Sequence, residues 1–200
     1  DTSIFVYDRG KAKDLSAYID GNWHLVYEAH STDYQPADAL KKMVEDHFAI
    51  LKVGPWLTFA FREAIFALAG MEEEWLAGRK SPSLSRVREV LDEAMVRSPD
   101  HWKNHYQGNE AQIRFARKYS YSDRCRYYWP QAKVQNALGA LFENLSKWPL
   151  PLNLLSQYMP VQYNAVREGR IANTPTDLVH SKILEVIDLY AAACGMRELR

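Results

Sequence analysis

The stretch whose reading decides the fold runs from His24 to Pro55, beginning HLVYEAHSTDYQ (24–35) and closing DHFAILKVGP (46–55). Leu25, Val26 and Tyr27 form a short apolar run that ends in the polar tip Glu28, His30, Ser31, Thr32 and Asp33. Pro36 then opens a helical pattern, with Ala39, Leu40, Met43, Val44 and Phe48 near three- and four-residue spacing. Ala49 to Val53 reads as a buried second strand that delivers Lys52 to a Gly54-Pro55 corner. A strand, helix and strand within about 30 residues is the size of a parallel crossover. In such units the loops at the carboxyl ends of the strands carry the chemistry. Those loops are EAHSTD (28–33) and KVGP (52–55).

Outward from this unit, Lys11–Ile19 reads as a short helix on the N-terminal side, and Ile4–Tyr7 as strand or loop. On the other side, the segment from Trp56 to Trp75 is too apolar for a surface helix and is expected to be buried on most faces. Its last turns, with Glu72, Glu73 and Glu74, are expected to be exposed. AGRKSPS (77–83) reads as a linker, and beyond it only helical patterns appear. Asn109 with Gln112 is a capping-box signal, Pro130 opens another helix, Pro160 divides a short pair, and Thr174-Pro175 starts the last helix. The chain therefore has a βαβα part and a helical part of about 120 residues. Two parallel strands leave unpaired edges and half-covered faces, so further strands must complete the sheet. Pattern alone does not choose between a closed barrel and an open sheet.

The composition bounds the function classes. The 200 residues carry 25 basic and 25 acidic side chains, a neutral balance without the basic footprint of a nucleic-acid binder. No apolar run is long enough for a membrane span, and the start is neither a signal nor a transit peptide. Cys125 and Cys194 are too few and too far apart for a disulfide framework or a cysteine metal site, which points to a reducing cytoplasm. A first residue of Asp rather than Met suggests a piece of a longer polypeptide.

Four motifs in order, EAHSTDYQ (28–35), DHFAILKVGPWLTFAFREAIFALA (46–69), YSYSDRCRYYWP (119–130) and LLSQYMPVQYNAVREG (154–169), resemble the accessory, Z-type subunit of class II tagatose-bisphosphate aldolase. The resemblance runs from about Leu25 nearly to the end, and family members are roughly twice this length. It implies the C-terminal half of such a subunit: the last two βα units of a TIM-type (β/α)8 barrel over 1–76, a linker at 77–83, and an all-helical C-terminal extension over 84–200. It also implies a non-catalytic role that supports the activity and stability of a separate catalytic aldolase subunit, in galactitol, tagatose or amino-sugar breakdown. No cofactor is expected in this chain, and zinc is expected in the catalytic partner. The family has also carried the label tagatose-6-phosphate kinase, yet this stretch holds no GxxxxGK[ST] phosphate loop and no kinase glycine loop.

Candidate site residues follow from placement at the barrel mouth. Glu28, His30 and Asp33 are groups that move protons or hold metals. His30 followed by Ser31 and Thr32 resembles a diverged form of the zinc-binding strand end of catalytic class II aldolases, but no closely spaced second ligand accompanies it, so no metal is assigned. Lys52 and Gly54 resemble the segment that precedes the phosphate-binding residues in those enzymes, making a sugar phosphate the expected ligand. The plainer alternatives are that Glu28 and His30 satisfy each other and that Lys52 pairs with Glu28. Asp123, Arg124, Arg126, Tyr127 and Trp129 form a polar-aromatic box, expected to anchor helices through charge-assisted hydrogen bonds or to meet a partner. Gln157 and Tyr158 are expected to brace the same layer. His101 and His105 lack a third ligand and are expected on a solvated face. No nucleophile-and-base arrangement is visible, and the alternative of an aldolase-like enzyme rests on Glu28, His30 and Lys52.

Overall fold

The computed structural model describes residues 3–22, 24–80 and 82–196. Ser81, within the expected linker, and Asp1 lie outside the described residues. Thr58–Ile183 forms one compact unit, and the described parts of Thr2–Leu57 with Leu184–Arg200 form another.

In the second of these units, the helix α1 (Arg9–Asp20) is capped by Asp8, whose carboxylate accepts from Gly10 N. Two strands follow, β1 (Tyr27–Ala29) and β2 (Phe48–Leu51), paired in parallel and connected by α2 (Ala37–Glu45). The crossover read from the sequence is therefore present, and no third strand pairs with it among the described residues. Three details differ from expectation. The first strand begins at Tyr27 rather than Leu25, leaving Leu25 and Val26 exposed. Phe48 belongs to β2 rather than to the helix, because His47 turns the chain at a left-handed φ of 72°. The second strand is not buried: Ile50 is 46% exposed. A register irregularity pairs Tyr27 with Phe48 but Glu28 with Ile50, so Ala49 is the extra residue of a bulge. Ile4–Tyr7 is a loop, held where Gln35 accepts from Tyr7 N and donates to the Phe5 carbonyl.

The helix α3 (Trp56–Leu76), which lies in the larger unit from Thr58 on, is followed there by α4 (Val87–Arg97), α5 (Glu110–Tyr119), α6 (Ala132–Lys147), α7 (Leu152–Tyr158), α8 (Pro160–Arg167) and the first half of α9 (Pro175–Ala193), whose residues from Leu184 belong to the other unit. Short 3-10 turns occupy Pro99–His101 and Arg124–Tyr127. The start of α5 is the expected capping box, with Asn109 Oδ1 accepting from Gln112 N and Gln112 Oε1 from Asn109 N. The core of this unit is built on α3, where Ile65, Leu68 and Met71 are sealed against Leu91 and Met95 of α4, Leu141 and Leu145 of α6, and Leu155 of α7. Burying each such side chain contributes about 1.5–3 kcal/mol.

The acidic end of α3 corrects an expectation. Glu74 is exposed, but Glu72 is 1% exposed. Its carboxylate accepts from Ser85 N and Oγ and from Asn144 Nδ2. These donors make a buried carboxylate tolerable and tie α3 to the start of α4 and to α6.

Candidate functional site at the strand ends

The carboxyl ends of β1 and β2 bring three predicted residues into contact. Glu28 Oε1 lies 2.5 Å from His30 Nε2 and 2.8 Å from Lys52 Nζ. One carboxylate oxygen thus serves both basic groups, and both pairings expected as alternatives to ligand binding are made. The Lys52 ammonium holds the Glu28 carboxyl below its ordinary range against an opposing effect of desolvation, and the His30 contact adds to the lowering. The cluster remains wet: the side chains of His30 and Lys52 are 68% and 53% exposed.

Asp33 is placed differently from these. It is buried, and its Oδ1 accepts from Gly54 N at 2.8 Å and Trp56 N at 2.9 Å. It thereby caps the first turn of α3 from 23 residues away, where exposed N–H groups and the helix dipole favour an anion. Gly54 is required by this contact, since a Cβ there would stand 2.8 Å from Asp33 Oδ2. Asp33 and Gly54 therefore shape the loop, while Glu28, His30 and Lys52 face solvent.

Two residues to which the sequence reading gave no role of their own complete the loop. Thr32 is fully buried and its hydroxyl donates to the Lys52 carbonyl at 2.8 Å. Tyr190, near the end of α9, donates to the Thr32 carbonyl at 2.8 Å and packs edge-on against Trp56. Burial pushes the Tyr190 phenol up to about 12. Ser31 and Tyr34, on either side of Thr32 and Asp33, adopt left-handed φ values of 57° and 61°. Non-glycine residues occupy this region at a cost, so the loop is held by its bonds against local preference. A Thr in a polar tip and a Tyr in a distant apolar stripe carry no signal of this pairing.

The polar-aromatic box lies in the Thr58–Ile183 unit and is divided by burial. Asp123, at a left-handed φ of 47°, is sealed. Its carboxylate accepts from Arg62 Nε at 3.1 Å, Thr58 Oγ1 at 2.6 Å and Cys125 Sγ at 3.3 Å. The partner of Asp123 in a charge-assisted bond, unnamed by the sequence, is Arg62, whose guanidinium also lies 4.0 Å from the centre of the Phe59 ring. The signal was a lone arginine in the apolar run of α3. Arg124 Nη2 meets His105 Nδ1 at 3.1 Å, and Arg126 donates to the Ser122 and Asp123 carbonyls and to Tyr127. Trp129 packs edge-on against Phe61, and Tyr127 stacks on His101. Tyr158 touches Gly70 of α3 and is 44% exposed, and Gln157 Nε2 bonds to Ser156 Oγ. His101 and His105 are exposed but sit in a 3-10 turn and the turn after it, not on one helix face.

Among the described residues, no group of three or more His, Cys, Asp or Glu side chains converges on a point that would hold a metal ion, and no helix is long and apolar enough to cross a membrane. The fold is similar to the crystal structure of a probable tagatose 6-phosphate kinase from Sinorhizobium meliloti 1021, at a TM-score of 0.89 and 39% identity over 97% of this chain. This chain spans 49% of that one, about half its length. Residues 1–195 match the family described as D-tagatose-1,6-bisphosphate aldolase subunit GatZ/KbaZ-like. With a match over nearly its whole length, the chain belongs to the GatZ/KbaZ-like family of D-tagatose-1,6-bisphosphate aldolase subunits.

Proposed function

We propose that this chain is the C-terminal half of an accessory, non-catalytic subunit, acting in the cytoplasm to support the activity and stability of a zinc-dependent catalytic class II aldolase. That partner cleaves D-tagatose 1,6-bisphosphate to glycerone phosphate and glyceraldehyde 3-phosphate, in galactitol, tagatose or amino-sugar catabolism. Residues 1–76 are the last two βα units of a (β/α)8 barrel, 77–83 a linker, and 84–200 the helical extension. The unpaired edges of β1 and β2 and the exposure of Val26 and Ile50 support a sheet completed by further strands. The observation that carries the subunit role is the match of residues 1–195 to an aldolase-subunit family, and the state of Glu28 speaks against that group as a general base. A general base works best with its pKa near the operating pH, whereas the Lys52 and His30 contacts move this carboxyl the other way. In this reading the box from Asp123 to Trp129 braces the helical part, with exposed Tyr127 and Tyr158 as partner contacts.

A second reading, an aldolase-like or sugar-phosphate-converting enzyme with its active site at the strand ends, is favoured by the exposure of Lys52 and His30 beside Gly54. One assay separates the two. The full-length protein is purified with and without the catalytic subunit, chelator-washed and returned to zinc, and tagatose 1,6-bisphosphate cleavage is followed. The accessory role expects no turnover alone and a rise in the partner's activity or lifetime, unchanged by Glu28→Gln. Turnover by this protein alone, lost in Glu28→Gln or Lys52→Ala, makes the strand ends an active site.

A further inference from the structure

Among the α-helices of the Thr58–Ile183 unit, α5 alone buries none of its residues. By contrast α4 seals Val87, Leu91 and Met95, and α6 seals Val134, Leu141 and Leu145. On α5, Phe115 and Tyr119 rest against each other with ring centres 5.1 Å apart, and both are exposed. The capping box of Asn109 and Gln112 satisfies only the helix's own first turn. The one ion pair that α5 makes among the described residues is Arg117 with Asp92 of α4, bonded at 2.7 and 3.0 Å. Both side chains are largely buried, so water screens this pair little.

Against the last turn of α5 lies a buried charge. Three rings surround the Arg62 guanidinium: those of Phe59 and Phe66 on α3, and that of Tyr119, whose centre is 5.7 Å away. Tyr119 is the only one of the three that another element supplies, and it meets Phe66 edge-on. The Arg62 Nε donates to Asp123, but its Nη2 is buried with no hydrogen-bond partner among the described residues. A buried donor without an acceptor is costly, and the cost ends when water reaches it. A helix with no buried residue on one side and an unsatisfied donor on the other both favour local opening at this place.

We propose that α5 is a lid on the Arg62–Asp123 pair, latched by Arg117 and Asp92, which opens while the rest of the Thr58–Ile183 unit stays folded. The device lies within that unit and is independent of the aldolase reading. Opening breaks one charge-assisted pair and lets Arg62 Nη2 meet water. A helix this short is marginal by itself, so its amides lose protection whenever it lifts away. The test is hydrogen–deuterium exchange of the full chain, followed by NMR at single amides and at the Arg62 Nε–H. The α5 amides are expected to show protection factors at least about tenfold below those of α6. Asp92→Asn keeps the size and removes the charge, and should speed exchange in α5 by about another tenfold while α6 stays at the wild-type rate. The Arg62 Nε–H should speed up together with α5 in that variant, and Arg117→Gln should reproduce both effects. Protection of α5 equal to that of α6 in the wild type overturns the proposal. So does exchange that Asp92→Asn raises in all helices alike or in none, or an Arg62 Nε–H that keeps its wild-type rate.

Discussion

Asp123 and Glu28 are both carboxylates that meet a basic side chain, but the Asp123–Arg62 pair is sealed whereas the Glu28–Lys52 pair is in contact with water. Within Thr58–Ile183 the side chains of Arg62 and Asp123 are 2% and 0% exposed, so each charge depends on the other. At the strand ends solvent screens the pair, and either partner can exchange it for water or a ligand. The difference separates a structural cluster from one available for binding, although sequence gives both the same vocabulary of Asp, Glu, Arg and Lys.

The largest test of this contrast is Asp123→Ala. It leaves Arg62 buried without its carboxylate and should cost about 3–5 kcal/mol in urea unfolding. Asp123→Asn tolerates the left-handed backbone and isolates the charge; if both variants unfold at the wild-type midpoint, the buried pair is not structural. Next, Gly54→Ala places a Cβ against Asp33 Oδ2 and should cost about 1–3 kcal/mol, readable as a lowered melting temperature. Tyr190→Phe should cost about 1 kcal/mol through the lost bond to Thr32. The raised Tyr190 pKa means that its contribution is fully present below the unfolded phenol value, near 10. It is lost as pH rises through about 12, so wild type and variant should converge at strongly alkaline pH. The smallest effect is at Glu28. Its carboxyl should titrate below 4.5 by NMR, and Lys52→Ala should move the midpoint upward without changing the melting temperature. Because the folded value is depressed, the pairing is present above the ordinary glutamate pKa and lost as pH falls through the lower one.

What the sequence made legible was local. Asn109 and Gln112 act across three residues, Pro160 and Pro175 punctuate their own helices, and the apolar stripe of α3 announces its burial. The strand ends were also legible, since Glu28, His30 and Lys52 do converge. What escaped depends on distance along the chain. Glu72 looks like part of a solvated acidic run until Asn144, 72 residues away, reaches it. Asp33 looks like a site carboxylate until Trp56 N is found on it, and Tyr190 lies 158 residues from the threonine it holds. β2 resembled a buried strand because its residues are apolar, but burial requires neighbours, and apolar composition does not supply them.

The two cysteines have a practical consequence. Cys125, in Thr58–Ile183, is buried with its thiol pushed well above the ordinary value by burial and by Asp123. Cys194, in the other unit, is exposed. A maleimide dye should therefore modify the native chain at Cys194 alone, giving a single-site fluorescent handle without mutagenesis. Cys125 should react only when the helical unit opens, so the delay of the second label serves as a clock for that opening.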